Sequence, residues 1–443
     1  MSNTDADGLP PGRRGLASAC IAAGITVTVL DAAMLNIALP SAAAGLGLTP
    51  AEAVWIVNAY QIVVVGTLIP MAALGEIWGF RRVWAWGLLV FSLAAMACSV
   101  APSFEALLAA RMVQGLGSAA VMSLTAGLVR HTYPAAQLGR AIGVNSMTVG
   151  LASAAGPLLG AAVLAVAPWP AVFVAHVPMG VVALVLGLKL LPRVPGRRRP
   201  FDIAAAALNV AGFGLVFLGM DLLLHAPWLA VPALLGGALC AAVLVRIEMA
   251  RPVPLLPLDL LRIRVVRFAV SASVLMFAGH MLLIIGLPFH LSAAGFSPVQ
   301  IGMIITPYPL AVGLLGPIAG RWADQANSPL TCVLGGAFLA TALVILALVP
   351  PTMVWAVCGA LLLAGIGFAG FQSPNNRAML SAAPRARAGS AGGMQATARV
   401  LGQSTGAVTA AACFTLAGPW LGFLCGAGFA LASGTLSLVR GRG

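Results

Sequence analysis

The sequence has little charge: charged residues make up 8% of its 443 residues, whereas hydrophobic residues make up 60%. Soluble globular domains carry about 25% charged residues, so this composition excludes such a domain. Apolar runs of about 20 residues recur along the whole chain, and this is the length that crosses a bilayer as a helix. The alternating pattern of transmembrane β-strands is absent, so we expect an all-α polytopic membrane protein.

Cysteine pairs and catalytic motifs are also missing. The seven cysteines lie in apolar stretches without a CxxC pair, which favours core packing over disulfides or metal binding. The sequence has no paired nucleophile and base, no His/Asp metal cluster and no phosphate-binding loop, so we do not expect an enzyme or a bound cofactor. It also lacks a soluble segment large enough to receive a signal, which argues against a membrane sensor.

Fourteen membrane spans can be drawn from the apolar runs, each near the length that a bilayer requires. They comprise residues 16–39, 51–73, 83–101, 104–128, 139–166, 170–191, 202–224, 227–246, 265–290, 298–320, 330–349, 352–374, 389–414 and 417–438. The connections are short, as expected for antiparallel neighbours.

The basic residues predict the orientation of these spans. With the N-terminus in the cytoplasm, 22 of the 24 lysines and arginines lie in or beside the inner loops, and the outer loops have none. This pattern predicts a multi-pass protein of the cell inner membrane with both termini in the cytoplasm. It also accounts for the net charge of +13 without a nucleic-acid partner. The polar first 15 residues lack a cleavable signal, so we interpret the first span as a signal-anchor.

The two halves of the chain repeat one another. Matching residues recur 248 or 250 positions later: Pro40 and Pro288, Tyr60 and Tyr308, Glu76 and Asp324, and Gly156 and Gly406. We expect both prolines to end equivalent helices. The repeat divides the chain into a cytoplasmic tail (1–15), a six-helix half (16–191), linkers with two inserted helices (192–264) and a second six-helix half (265–443).

Four stretches resemble the motifs of one transporter family. Residues 71–82 (MAALGEIWGFRR) resemble the loop between helices 2 and 3 of the major facilitator superfamily, and residues 107–119 closely match its helix-4 motif. Residues 150–160 look like the helix-5 motif of its antiporters. Residues 30–40 are similar to the helix-1 motif of its fourteen-span drug:proton antiporters, which include exporters of quaternary ammonium compounds and methyl viologen. The resemblance implies the major facilitator fold, with two six-helix halves plus two inserted helices.

The chain departs from these family patterns at several positions. Different residues stand where the family usually has Gly, Asp, Arg, Gly and Asn, namely Ala72, Glu76, Phe80, Ala152 and His176. The histidine changes the chemistry at the outer end of the sixth span.

Asp31 and Arg111 are the predicted proton-coupling residues. Counted from the outer ends of the first and fourth spans, they lie about 12 Å and about 10 Å deep. A charge near the middle of a bilayer costs about 2.5–3.5 kcal/mol on insertion scales and is rarely without function. The family fold implies that these two spans adjoin, so the two charges can pair, and a carboxylate whose arginine is withdrawn can act as a proton switch. A static structural pair is the alternative.

Two further groups have predicted conformational roles. The first is a latch that holds the inner side closed, formed by Glu76, Gly79, Arg81, Arg82 and Asp324. A solvated charged turn is its alternative. The second is the helix-5 motif, whose proline can kink the helix and whose small residues permit close packing near the interface of the halves. Its members are Gly150, Gly156, Pro157 and Gly160.

Polar and aromatic residues within the spans are candidates for a substrate cavity. They are Asn36, Trp55, Tyr60, Gln114, Phe277, His280, Tyr308 and Arg399. Ordinary packing is the alternative for the aromatic residues and for the histidine, and bonding within a polar network is the alternative for the arginine. The last six spans contain no acidic residue, and Gly279 takes the place of Asp31. A proton and a cationic substrate would therefore share Asp31.

These observations predict a proton-driven exporter of amphipathic small molecules, with lipophilic cations or neutral compounds as substrates. We expect a monomer that works in the lipid bilayer by alternating access and draws on the proton gradient. A dedicated metabolite or antibiotic self-resistance exporter of the same fold is the main alternative. An uptake symporter is a second alternative, which the helix-5 motif disfavours.

Overall fold

The computed structural model describes residues 8–134, 138–194, 196, 201–249, 258–315, 328–382 and 388–441, and all regular secondary structure within them is helical. Fourteen long helices follow one another, some of them with breaks. They are α1 (Pro11–Leu46), α2 (Pro50–Trp78), α3 (Phe80–Ser99), α4 (Phe104–Thr132), α5 (Leu138–Val166), α6 (Ala171–Leu190), α7 (Ile203–His225), α8 (Pro227–Met249), α9 (Arg264–Ala293), α10 (Pro298–Leu315), α11 (Ser328–Leu348), α12 (Val354–Ala382), α13 (Ala388–Leu416) and α14 (Pro419–Gly441).

The expected all-α, multi-span fold is confirmed. Within the described residues, 13 of these helices are long and apolar enough to cross a membrane. The exception is α13, which is rich in Gly, Ser, Thr and Gln, yet it packs inside the bundle against α9. A Cβ at Gly402 or Gly406 of α13 would collide with the backbone of α9, so the two helix axes approach closely.

The expectation that Pro40 and Pro288 end their helices is wrong. Both prolines lie inside helices, which continue to Leu46 and Ala293. An interior proline removes one backbone hydrogen bond and bends a helix, but packing on all sides lets the helix continue. Asp31 consequently lies 15 residues, or about 22 Å, from the end of α1.

The duplication seen in the sequence is repeated in the helix packing. Thr49 and Glu52 form a capping box at the start of α2, and Ser297 and Gln300 form the same box at the start of α10. A Cβ at Gly115 would lie 2.8 Å from the Tyr60 carbonyl oxygen, and one at Gly365 would lie 2.6 Å from that of Tyr308. These close approaches place the first tyrosine against α4 and the second against α12.

The two halves, α1–α6 and α9–α14, meet around a central space that is closed at one end. We call the end where α1 begins and α14 ends the terminal end, and the other the distal end. At the distal end one apolar cluster joins the halves, with Leu39 and Ala53 from the first and Ile285, Phe289 and Ala411 from the second. The two described clusters nearest the terminal end belong essentially to one half each. The structure is thus sealed at its distal end.

The inserted helices α7 and α8 pack on each other, and α7 docks on α2. The contact centres on Gly66, where a Cβ would lie 3.1 Å from the Cα of Val210. Four residues later, Pro70 lies inside α2 and has no N–H to donate to the Gly66 carbonyl. The buried side chain of Asn209 supplies the missing donor, because its Nδ2 donates to that carbonyl at 2.7 Å.

We predict that Asn209→Leu lowers the free energy of unfolding by about 1–2 kcal/mol, because it leaves the Gly66 carbonyl unsatisfied. In a Pro70→Ala background the backbone N–H of residue 70 can bond that carbonyl, so the same change should cost much less. Unfolding of purified protein in mixed micelles measures both values. Equal losses in the two backgrounds would contradict the assignment.

Candidate functional site

A buried polar network connects α1 and α4. The Nη1 of Arg111 donates to Asp31 Oδ2 at 2.8 Å, and Gln114 Nε2 donates to Asp31 Oδ1 at 2.9 Å. The same Nη1 also donates to Gln114 Oε1 at 2.6 Å. All three side chains are at most 1% exposed. The charges that the sequence placed at similar depth therefore form one closed, hydrogen-bonded unit.

Arg111 is also held by α2. Its Nε donates to the Ile56 carbonyl at 3.1 Å, and its Cζ lies 4.3 Å from the centre of the Tyr60 ring. The Tyr60 hydroxyl donates to Ser118 Oγ at 2.6 Å. Arg111, Gln114 and Ser118 recur at intervals of three and four residues, so α4 presents all of them on one face. The ring of Tyr60 therefore covers the guanidinium group.

His176 joins this network although its role was not predicted. Its Nε2 lies 3.7 Å from Asp31 Oδ1, and its ring packs 5.6 Å from that of Phe91. The residue is 3% exposed, and neither ring nitrogen makes a well-formed hydrogen bond, although Val172 has a carbonyl beside the ring. The helical hydrogen bonding of α6 is interrupted just before this residue. A second titratable group thus contacts the buried carboxylate.

A central cavity with about 1000 Å³ of empty volume, part of it open to solvent, lies between the two halves. Its lining comes from α1, α2, α4 and α5 of the first half and from α9, α10 and α13 of the second. Five of the predicted substrate residues line it, namely Asn36, Tyr60, His280, Tyr308 and Arg399. The position between the halves and the mixed apolar and polar walls suit a small-molecule site.

The other three candidates lie outside the lining. Gln114 belongs to the Asp31 network, Phe277 packs behind His280, and Trp55 is partly buried elsewhere on α2. Sequence reasoning also missed Gln61 and Gln403, which do line the cavity. Their signal was available, since a glutamine in an apolar membrane helix is unusual.

The wall from the second half is aromatic. The Tyr308 hydroxyl and His280 Nδ1 are 2.6 Å apart, and their rings stack with centroids 5.4 Å apart. Phe368 packs against both rings, with its centroid 4.6 Å from that of the histidine and 6.3 Å from that of the tyrosine, and Phe277 meets the histidine edge-on. The hydrogen bond and the stacking fix the orientation of the wall.

Helix α5 packs tightly against α1 of its own half and against α10 of the other half. A Cβ at Gly156 would collide with the Ala33 methyl of α1, and one at Gly160 would lie 3.1 Å from the Met34 backbone. A neighbouring face of α5 meets Gly302 of α10, where a Cβ would lie 3.1 Å from the Pro157 carbonyl oxygen. By contrast, no described atom lies within 4 Å of a Cβ placed at Gly150. The close contact is therefore confined to the distal part of the motif.

The predicted latch is only partly described. Gly79 has a φ of 95°, which favours glycine, and it connects α2 to α3. Arg81 Nη1 donates to the Leu188 carbonyl of α6 at 3.0 Å. Glu76 is exposed at the end of α2, Arg82 is exposed in the first turn of α3, and Asp324 lies outside the described residues. The structure thus shows an Arg81–α6 contact but does not describe the second copy of the motif.

Comparison with known proteins identifies the family. The sequence profile of the Major Facilitator Superfamily matches residues 21–407. The chain belongs to the Major Facilitator Superfamily. This major facilitator protein is therefore a transporter and not an enzyme, and its multi-pass helices lie in a lipid bilayer.

Relatives of this major facilitator protein cover most of its length. It is 40% identical to the uncharacterized transporter YebQ of Escherichia coli K12, over 93% of this chain and 91% of that one. It is 30% identical to the riboflavin transporter RibZ of Clostridioides difficile (87% and 85%) and 28% identical to the methyl viologen resistance protein SmvA of Salmonella typhimurium (85% and 78%). A crystal structure of the peptide transporter POT in complex with sulfate shares the fold, with a TM-score of 0.71 at 18% identity over 97% and 95% of the two chains.

We predict that Gly156→Ala destabilises the protein by about 1–3 kcal/mol, because the added methyl group overpacks the contact between α1 and α5. Gly150→Ala on the same helix is the matched control and should have little effect. Unfolding of both variants in mixed micelles measures the difference. The packing assignment would be refuted by a Gly150→Ala variant that loses as much stability as Gly156→Ala.

Proposed function

We propose that the protein is a proton-coupled exporter of amphipathic small molecules, of the fourteen-span drug:proton type. The observation that carries this proposal is the buried Asp31–Arg111–Gln114 unit beside the central cavity. In this proposal the protein lies in the cell inner membrane with its terminal end facing the cytoplasm. The working unit is a monomer that uses the proton gradient as its energy source and needs no cofactor.

The proton-binding step follows from the charge balance of the unit. While Arg111 contacts Asp31, the negative charge of the carboxylate is compensated by the guanidinium group. If Arg111 moves away, an uncompensated carboxylate remains at a site that is 1% exposed, and proton binding neutralises it. Protonation and opening of the pair therefore favour each other. His176 is placed to pass a proton to Asp31 or to accept one from it.

Tyr60 supplies the link between this step and the substrate. One part of its ring covers the Arg111 guanidinium, while the residue also lines the cavity. A substrate that displaces Tyr60 would disturb the contact that holds Arg111, and a proton that frees Arg111 would disturb the cavity wall. This reciprocal effect is a coupling free energy between two sites.

One observation supports alternating access, and others support the direction of export. The cavity is closed by the apolar cluster at the distal end, as expected for one of the two end states of alternating access. The tightly packed helix α5 carries the motif that resembles that of antiporters, and one relative is named for resistance to methyl viologen. Rocking of the halves would require α5 to move against α1 or α10, and Arg81 with Glu76 and Asp324 would act as the latch at the terminal end.

Uptake remains the second candidate because another relative is named a riboflavin transporter without a stated direction. Vesicles of defined orientation with an imposed proton gradient distinguish the two directions. A dedicated self-resistance exporter would differ only in the breadth of its substrates, which a resistance panel in an exporter-deficient host measures.

We predict that Asp31→Asn abolishes proton-driven transport in proteoliposomes while the protein still inserts. The single change leaves a buried arginine unpaired, which costs about 3–5 kcal/mol, so the matched variant is Asp31→Asn with Arg111→Gln. This double variant contains no buried charge at the positions of the ion pair and should fold better than the single variant, yet remain uncoupled. Transport that still responds to the proton gradient in a folded double variant would refute the proposed coupling site.

A further inference from the structure

The described lining of the cavity contains one residue with a permanent formal charge, and that charge is positive. Arg399 lines the cavity from α13, and one turn later Gln403 lines it too. No Asp or Glu occurs among the described lining residues. Arg399 makes no hydrogen bond or ion pair with another described residue; the Tyr60 phenol is its electrostatic neighbour.

The acidic residues that the structure describes do not neutralise Arg399. Both oxygens of Asp31 are occupied by Arg111 and Gln114, and the ring of Tyr60 lies between this unit and the cavity. Among the residues whose side chains the structure describes, the remaining acids lie at helix ends and belong to caps or exposed turns: Glu52, Glu76, Glu105 and Asp202. The guanidinium thus lines the cavity without a hydrogen-bond partner among the described residues, and such a group favours an acidic oxygen as partner.

The aromatic wall faces the same cavity. His280 and Tyr308 both line it, and Phe368 supports them from behind. Most of the other lining is apolar, with Val29, Ile37 and Ile284 as examples. A flat aromatic ring gains dispersion contacts and stacking against such a wall. A tetrahedral onium group cannot stack on the aromatic rings of the wall in this way.

A polar acceptor completes the lining. Asn36 is 6% exposed, lines the cavity from α1, and its Oδ1 has no hydrogen-bond partner. An unsatisfied buried carbonyl favours a ligand that brings a donor such as a hydroxyl or an amide N–H. The cavity therefore contains an unused cationic donor group, an unused acceptor and an aromatic wall.

We propose that the cavity binds planar aromatic molecules that carry a carboxylate or another acidic oxygen, with this oxygen on Arg399 and the ring against His280 and Tyr308. This substrate class rests on the proposed function, in which the cavity is the transport site. It differs from the sequence-based expectation of lipophilic cations or neutral compounds, in which a cationic substrate would share Asp31 with the proton. In this conformation Asp31 is enclosed with Arg111, and the group available to the ligand is a cation.

The test compares two probes with one ring system and opposite charge, 1-pyrenecarboxylate and 1-pyrenemethylammonium. Equilibrium binding is measured by fluorescence on the purified full-length protein in phosphatidylcholine nanodiscs, without a proton gradient, and binding to empty nanodiscs is subtracted. We expect the carboxylate to bind at least about tenfold more tightly than the ammonium compound, because only the carboxylate can accept a hydrogen bond from the charged side chain of Arg399. Arg399→Gln should remove this preference, and Arg399→Lys, which keeps the charge, should retain most of it.

The proposal is overturned if the wild-type protein binds the ammonium compound as tightly as the carboxylate. It is equally overturned if Arg399→Gln leaves the preference intact, or if empty nanodiscs show the whole preference. If Arg399→Gln does not fold, the wild-type comparison and Arg399→Lys still decide. Because no gradient is used, loss of coupling in the Asp31 and Arg111 variants leaves this readout unaffected, so the two proposals can fail separately.

Discussion

The ion pair between Asp31 and Arg111 is the interaction on which the rest of the structure depends. Two opposite charges at 1% exposure are tolerated because each carboxylate oxygen of Asp31 accepts a hydrogen bond, one from Arg111 and one from Gln114. The backbone of Ile56 and the ring of Tyr60 hold the arginine from α2. The charged side chain of Arg111 therefore connects α1, α2 and α4, and loss of the ion pair would weaken the contacts among these three helices.

The two halves of the duplicated fold carry different side chains at equivalent positions. In the first half Tyr60 covers an arginine and bonds Ser118; at the equivalent positions of the second half, Tyr308 bonds His280 and Phe368 replaces the serine. The position of Asp31 is taken by Gly279, where a Cβ would lie 2.8 Å from the Gly426 carbonyl oxygen, so close helix packing replaces the ion pair. One half thus carries the buried ion pair that we propose as the proton-binding unit, and the other carries the aromatic wall.

Much of the fold could be predicted from the sequence, because the apolar runs indicate the lengths of the helices and the charged residues mark the loops between them. The described helices begin and end within a few residues of most predicted spans, except where Pro40 was taken as a helix end. The pairing of Asp31 with Arg111 could be anticipated from their similar depth together with the contact between the first and fourth spans that the family resemblance implies. The contact of His176 with Asp31 could not, because it joins α1 to α6 and follows no periodic pattern. Trp55 and Phe277 were wrongly predicted to line the cavity, because the sequence of a helix that is apolar on all sides does not indicate which face meets solvent.

The most direct measurement of the account is the infrared difference spectrum of the purified protein between alkaline and acidic pH. It records the carbonyl stretch of a protonated carboxylic acid. The account predicts a band from a buried protonated acid that grows within the pH range where transport operates, is missing from the folded Asp31→Asn, Arg111→Gln variant, and shifts in its pH dependence when His176 is changed to Asn. An acid band that is identical in the double variant would show that Asp31 does not take up the proton, and would contradict the central claim.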